Sequence, residues 1–344
     1  MNFDHCALLK AAIARSLGGT TVHEQANFAR ARFGLEVADI VARSGVAAVG
    51  RDDLLGGAQV AAEAAVFDRL VDATIRGRLT GKRVVPASRN YRSADDAATA
   101  AWVAEGSSIP ISRANFSRHV LLPKRVASLM VVNEEVLAAD SGELLLLQRD
   151  MEAGLALADD AAFLDPSNHG DGATPAAVTA DAPSLDSTGD PETDFEALAT
   201  IFTGNWSNAV VVLHPLLAVS LARQLKGTGL ADLGPRGGTY FGIPALTSRG
   251  VPETSDGHLL ALIDGSGIAE TDDGIEARIS TEGVVRMDSA PAGSTITPTG
   301  ESAAVSLFQC DARAVRLIRR CCWANGREGG VVTVRNVTYG ASSA

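Results

Sequence analysis

The chain has 344 residues, 46% of them hydrophobic, and carries 30 Lys and Arg against 41 Asp and Glu, a formal charge of −11. The hydrophobic fraction excludes a disordered chain, and the length suits one large domain or two to three modest ones. No apolar run approaches the ~20 residues that span a bilayer, and Met1 to Leu17 carries Asp4, His5, Lys10 and Arg15 where a signal peptide needs an apolar block, so a soluble, non-secreted chain is expected.

Residues 1–79 are Ala-rich and helical in pattern, with breaks at Gly18-Gly19 and Gly56-Gly57. A helix from about His23 to Ser44 would put Phe28, Phe33, Val37, Ile40 and Val41 near one face, and a second from about Ala58 to Arg76 would carry Val60, Ala64, Phe67, Leu70, Val71 and Ile75. From Thr80 to Ser128, strand-like runs (Lys82 to Pro86 with Ala101 to Ala104, then Asn115 to Leu122) flank a polar middle, Ser88 to Thr99. A two-stranded ribbon of this kind covers neither of its faces and is marginal in water, so it needs a neighbour.

The spacing then predicts a long helix over Ser141 to Leu164, roughly 36 Å at 1.5 Å per residue. Asp140 and Glu143 outline a capping box, and Leu144, Leu147, Met151, Leu155, Ala158 and Ala162 recur at helical spacing. Gly154 interrupts this spine at a cost of roughly 1 kcal/mol relative to Ala, as a flexure point or as room for a crossing strand.

Asp165 to Asp194 is a low-complexity stretch that reads as an exposed loop. Asp165, Ser167, Gly170 and Asp171 echo a calcium loop, but Ala176 stands where a bidentate Glu is required. A helix (Phe195 to Phe202), a strand (Ala209 to His214), a helix (Leu216 to Lys226) and short strands around Tyr240 to Thr247, Leu259 to Ile263, Ile275 to Ser280 and Gly283 to Met287 suggest a mixed α/β domain. Gly227-Thr228-Gly229 lacks phosphate-loop spacing and follows a helix, so it reads as a mobile loop.

The chain ends in strands, Val305 to Cys310, Ala314 to Trp323 and Val331 to Thr338, which are expected to pack beneath the spine. Asn325-Gly326 with Gly329-Gly330 predicts a hairpin turn between the last two. Arg313, Arg316, Arg319 and Arg320 form a solvated face or pair with acidic groups on a neighbour. Cys6, Cys310, Cys321 and Cys322 show no metal spacing, and buried, reduced thiols are expected; Cys321 and Cys322 would point to opposite faces of a strand. Histidines 5, 23, 119, 169, 214 and 258 offer no local pair at ligand spacing, and His214, ahead of Pro215, reads as a hydrogen-bonded residue at a strand end rather than a base. No nucleophile elbow occurs. No catalytic, metal-ligating or cofactor-binding residues are therefore expected.

Trp102-Val103-Ala104-Glu105-Gly106, Pro110, Phe116, Pro123-Lys124-Arg125-Val126-Ala127, Val131-Val132-Asn133-Glu134-Glu135-Val136-Leu137 and Asp159-Asp160-Ala161-Ala162-Phe163-Leu164 follow one another in a fixed order. Phe241-Gly242-Ile243-Pro244-Ala245-Leu246 and Asp311-Ala312-Arg313-Ala314-Val315-Arg316 complete the set. In order and separation these resemble tailed-bacteriophage major capsid proteins of the Hong Kong 97 type, over about residues 80 to 340. The resemblance implies an α+β fold with four parts. These are an N-terminal arm or scaffold-like region (1–79), an extended ribbon or E-loop (80–128), a peripheral domain with the spine (129–185 with 300–344) and a mixed α/β axial domain (186–299).

It also implies a non-enzymatic protein whose copies form the pentamers and hexamers of an icosahedral shell in the virion, assembled in the host cytoplasm. Scaffolding, portal and decoration proteins are the further partners implied, together with packaged double-stranded DNA held without sequence-specific contacts. An acidic wall suits mere enclosure, since nucleic-acid affinity rests on phosphate neutralisation by Lys and Arg. Assembly candidates are Trp102, Glu105, Pro110, Phe116, Arg118, Lys124, Gly154, Arg313 and Arg316, with Trp102 and Phe116 expected as anchors near the ribbon's base. Some members weld subunits through a lysine just before the ribbon proline and a late asparagine. Here Ile109 precedes Pro110 and Ser302 to Gln309 holds no asparagine, so no such crosslink is expected. An encapsulin-type compartment and an α/β enzyme are the alternative readings.

Overall fold

The computed structural model describes residues 10–11, 13–14, 21–42, 67–87, 90–94, 100–105, 108–109, 111, 116–133, 141–254, 257–286 and 304–339. Pro110, the Asp140 cap and the side chain of Glu143 lie outside the described residues, as do residues 58–66 of the helix expected from about Ala58 to Arg76. The chain divides into two compact units. The first is Met1–Leu70, Ala127–Leu155 and Gly274–Arg319, and the second is Val71–Val126, Ala156–Asp273 and Arg320–Ala344.

In the first unit, α1 (Val22–Phe33) opens on a complete capping box: Thr21 Oγ1 accepts from the Glu24 N–H, and the Glu24 carboxylate accepts from the Thr21 N–H. The single helix expected over His23 to Ser44 is in fact two. Gly34 adopts φ 94°, a left-handed conformation that ends α1, and α2 (Leu35–Ala42) follows. Ala29, Val37, Ile40 and Val41 bury together, with Phe28 and Phe33 packed against them.

The predicted spine is α4 (Ser141–Leu164), preceded by the short α3 (Ile75–Arg78). The boundary between the two units falls within it, after Leu155. Its carboxyl end is capped by the stretch expected from composition to be an exposed loop. Asn168 Nδ2 donates to the Ala162 carbonyl, the Val178 N–H to that of Phe163, and the Thr179 hydroxyl to that of Leu164. Ala177, Val178 and Thr179 are accordingly buried, because a helix end leaves orphan carbonyls that this segment satisfies.

The strands are β1 (Arg83–Val84), β2 (Asn90–Ala94), β3 (Phe116–Val120), β4 (Lys124–Asn133), β5 (Ser184–Asp186), β6 (Ala209–Leu213), β7 (Ala231–Gly234), β8 (Gly237–Tyr240), β9 (Ile243–Thr247), β10 (Glu253–Thr254), β11 (Gly257–Asp264), β12 (Ile268–Ser280), β13 (Val284–Arg286), β14 (Ala304–Ser306), β15 (Ala312–Asn325) and β16 (Val331–Val337). An eight-stranded sheet has the order β5-β16-β11-β6-β9-β8-β7, with β10 on β11. Strand β6 is buried along its whole length, which is why Ala-Val-Val-Val-Leu reads as a continuous apolar run rather than an alternation. Helices α5 (Pro191–Ile201) and α6 (Pro215–Gln224) contribute Leu198, Leu217 and Leu221 to the core against Val211, Leu213 and Leu262. A four-stranded sheet has the order β1-β12-β15-β4.

Three expectations for the carboxyl end fail. Strands β15 and β16 form no hairpin: β16 enters the large sheet between β11 and β5. Their connection is tied instead to the turn after β11. The Gly326 N–H donates to the Gly267 carbonyl, the Asp264 N–H to that of Gly330, and Arg327 Nη1 lies 3.1 Å from the fully buried Asp264 carboxylate. Next, the arginines of β15 do not form one solvated face. Arg313 and Arg319 are buried and only Arg316 is exposed, because β15 is an interior strand of its sheet and is covered along much of its length. Finally, Cys310 is exposed, not buried. The adjacent Cys321 and Cys322 do face opposite ways, into separate apolar clusters.

Gly250 lets the turn after β9 reach the spine. A Cβ there would lie 2.7 Å from the Cβ of Asp160 and 3.0 Å from the Ala161 nitrogen. At this contact Asp160 accepts from the Ile75 N–H (2.7 Å) and the Ser248 hydroxyl (2.5 Å). Burial dominates over these bonds and pushes its pKa up from 3.8 to about 6. The folded chain therefore holds this proton more tightly than the unfolded one. The contribution is complete below about pH 4 and declines as pH rises towards 6, by up to ~3 kcal/mol. Asp160→Asn can still accept from the Ile75 N–H through Oδ1 and donate from Nδ2 to the Ser248 hydroxyl oxygen, without a titrating group. Urea unfolding of dilute subunits should show wild type losing stability relative to this variant between pH 4 and 6, and parallel curves would remove the assignment.

Candidate assembly site

The root of the ribbon is a turn of helix whose charged residue points inward. Thr74 caps α3, its hydroxyl accepting from the Gly77 N–H at 3.1 Å. Only glycine fits at 77, since a Cβ would sit 1.7 Å from the Val71 carbonyl oxygen. This places Arg76, 1% exposed, among carboxylates from two distant segments. Nη2 lies 3.0 Å from Asp159 of the spine and 3.6 Å from Asp272, and Nη1 lies 2.8 Å from Glu270 of β12. Lys82 completes the group, 2.9 Å from Glu270 and donating to the Arg76 carbonyl at 3.0 Å. Trp323 covers the guanidinium, with Cζ 5.3 Å from the ring centroid. Burial alone would lower the pKa of Arg76, but Asp159, Glu270 and Asp272 more than reverse that and raise it, so the charge is permanent.

From this clamp β1 pairs in parallel with β12, Val84 opposite Glu270, and the Val85 N–H continues the ladder to the Glu270 carbonyl at 2.8 Å. The ribbon proper differs from its predicted form. Its strands are β2 and β3, antiparallel with Ala94 opposite Phe116, so the first strand lies inside the supposed polar middle; Lys82 to Pro86 instead belongs to the four-stranded sheet, and Ala101 to Ala104 is not a strand. The signal was Tyr91. It packs with Leu121, Ala269 and Cys322, and stacks under Arg83 at 5.1 Å, fixing one face of a segment that composition alone made look like loop.

The nine assembly candidates are not brought together into one constellation. Trp102 is fully exposed and lies, in sequence, in the connection between Ala94 and Phe116. Ile109 and Ile111, in the same connection, are also exposed, and Val120 and Leu122 are exposed on and just after β3. Glu105 and Arg118 are exposed, and Phe116 is in β3. Lys124 is held by its own chain, its ammonium 2.7 Å from the Gly172 carbonyl. Arg313 is buried within the first unit, and Arg316 faces solvent. Gly154 is exposed, and a Cβ there would meet nothing within 4 Å, so no described strand crosses it.

Sequence reasoning missed Arg76, Lys82, Glu270 and Asp272, and singled out Asp159 only as part of a motif. The available signal was Asp159-Asp160 on the apolar side of a helix, since carboxylates rarely bury fully without a partner. The fold also brings His214 and His258 together, which their positions in sequence do not suggest. Their rings stack with centroids 4.9 Å apart, and burial, then His258 itself, lowers the His214 pKa. Among the described residues these two histidines and Glu253 form the group whose donor atoms could hold a metal ion.

Arg76→Met leaves three carboxylates around an apolar side chain and should cost about 3–5 kcal/mol of subunit stability. Arg76→Lys keeps the charge but cannot bridge carboxylates on both sides, so it should recover only part of that loss in urea unfolding. An Arg76→Met variant as stable as wild type would show that the clamp is not structural.

The Phage capsid family model matches residues 68–201. The capsid polyprotein of Pseudomonas phage PAJU2 is 32% identical over 254 residues, 70% of this chain, and the chain spans 38% of that relative's length. Among solved structures, chains of Gordonia phage Cozz (TM-score 0.52, 17% identity, 74% of this chain and 84% of that one) and Microbacterium phage Oxtober96 (TM-score 0.52, 15% identity, 76% and 90%) share the fold. Residues 68–201 thus match the model of the phage capsid family, and the fold is of the Hong Kong 97 type.

Proposed function

We propose that this chain is a major capsid protein, many copies of which close into an icosahedral shell around phage double-stranded DNA. The observation that carries the reading is the 254-residue match to a phage capsid polyprotein, which extends well beyond the 68–201 family segment. The exposed Trp102, Ile109 and Ile111 support it, because large apolar side chains left exposed close together in sequence are expected to be covered by a partner, here a second copy of the chain. The protein acts by assembling, without catalysis, and its net charge of −11 suits a wall that encloses DNA without gripping it. Pentamers and hexamers of this chain, residence in the virion after assembly in the host cytoplasm, and scaffolding, portal and decoration partners belong to the same proposal.

Electron microscopy of the purified protein tests it: closed shells are expected, and persistently monomeric or dimeric protein under assembly-promoting conditions would overturn it. Trp102→Ala should lower shell yield severalfold while leaving the unfolding midpoint of dilute subunits within about 0.5 kcal/mol of wild type, since the side chain touches solvent in the single chain.

In this reading the spine must bend when a precursor shell expands, and Gly154 is the flexure point. The unit boundary falls one residue beyond it, and the space around it is open. Gly154→Ala should stabilise subunits by up to ~1 kcal/mol through helix propensity while slowing expansion of otherwise normal precursors. Scattering or microscopy of timed samples reads the rate, and expansion at the wild-type rate would exclude the role.

A further inference from the structure

We propose that His214, Glu253 and His258 form a binding site for a first-row divalent cation of the zinc class, clipping the start of α6 to the β10–β11 hairpin. Backbone register, more than side-chain placement, supports the site. Glu253 and His258 are directly opposed across β10 and β11, so both side chains emerge on one face of the hairpin. Strand β11 also pairs with β6, Leu260 opposite Leu213, and His214 is the residue that follows β6. Three neighbouring strand ends thus deliver two imidazoles and a carboxylate to one place, on rigid elements.

One donor atom from each residue lies within 4.8 Å of the others. Tetrahedral zinc with bonds of about 2.1 Å needs donors about 3.4 Å apart, so the group must contract by about 1 Å. In the present geometry the ring planes are parallel to within 6°, which confines their lone pairs to two parallel planes that cannot meet at one ion. One ring must therefore turn about its Cβ–Cγ bond, a soft torsion for an imidazole.

His214 has a competing duty: its Nδ1 accepts from the Leu216 N–H at the start of α6, at a long 3.3 Å. Binding through Nε2 would move the ring proton to Nδ1 and give up that cap. Coordination of a dication outweighs one long capping hydrogen bond, so the ion wins the competition. His258 is less committed. Its Nδ1 is buried without a hydrogen-bond partner, and its Nε2 lies 3.8 Å from the Glu253 carboxylate. The Glu253 side chain is half-exposed and gives the ion access from solvent. Arg249 also acts on His214 as a nearby cation and opposes a dication, while the Glu253 carboxylate offsets it. Three protein donors leave a fourth position for water.

The test is titration of the chelator-stripped full chain with Zn²⁺ by calorimetry, and with Co²⁺ by visible absorption. One ion per chain is expected, with Kd on the order of 10 µM and the intense d–d bands of tetrahedral cobalt. His258→Gln and Glu253→Gln should each weaken binding by about tenfold or more, while the exposed His169→Gln changes nothing. Because His214→Gln also removes a cap and can perturb folding, Glu253→Gln at an exposed strand end provides the independent check. Absence of saturable Zn²⁺ binding, or unchanged stoichiometry and affinity in both Glu253→Gln and His258→Gln, would overturn the site.

Discussion

The ribbon's root depends on one buried guanidinium. Arg76 joins a carboxylate of the spine, Asp159, to two of β12, Glu270 and Asp272, and Lys82 shares Glu270 with it. Ion groups of this kind contribute little net stability, because desolvation offsets most of the attraction. What they contribute here is registry. A sliding ribbon would separate buried charges that are paired in this register, whereas apolar contacts would tolerate a shift of a residue or more. The pairing of Val84 with Glu270 lies directly on this clamp, so the register in which β1 joins its sheet is fixed electrostatically.

Beyond the clamp the chain does the opposite. Tyr91 and Leu121 are buried apolar side chains of the ribbon, and past Ala94 the described residues Trp102, Ile109 and Ile111 are exposed to solvent. Exposed side chains of that size gain roughly 25 cal/mol for each Å² later covered, a gain the single chain leaves unrealised. A firmly held root and an uncovered projection are complementary requirements. Burial against a second molecule is useful only if the side chains arrive in a defined place.

How far this was legible in the sequence depends on whether the determining contacts were local. The spine was, because Leu147, Met151 and Leu155 repeat at helical spacing, and its ends, Ser141 and Leu164, match the pattern. Strand β6 was legible for a similar reason, as an apolar run closed by His214-Pro215. The ribbon's first strand was not. Asn-Tyr-Arg-Ser-Ala carries one apolar anchor, and its pairing with Phe116–Val120 is decided by contacts of Tyr91 with Ala269 and Cys322. Asn325-Gly326 and Gly329-Gly330 have turn chemistry, but which strands the turn joins was decided by Asp264, fully buried and bonded to Arg327. A sequence shows that a turn exists more readily than what it connects. The same holds for the candidate sites: the motif carrying Trp102 could be read in order, while Arg76 with Glu270 and His214 with His258 are pairings made only by topology.

The clamp also orders events in time. Its partners come from residues 76–82, 159 and 270–272, so none of its ion pairs is local, and closing such loops is the slow part of folding. During synthesis the ribbon segment is complete long before Glu270 exists. Its apolar side chains are then available but unplaced, because the root that would aim them lacks its carboxylates. Correct presentation of the ribbon thus waits on β12, whose first residues also bury Ile268 and Ala269 in the core. In a chain built this way the exposed segment takes a defined position only when the second unit is folded. The placement of two acidic residues late in the chain sets that order.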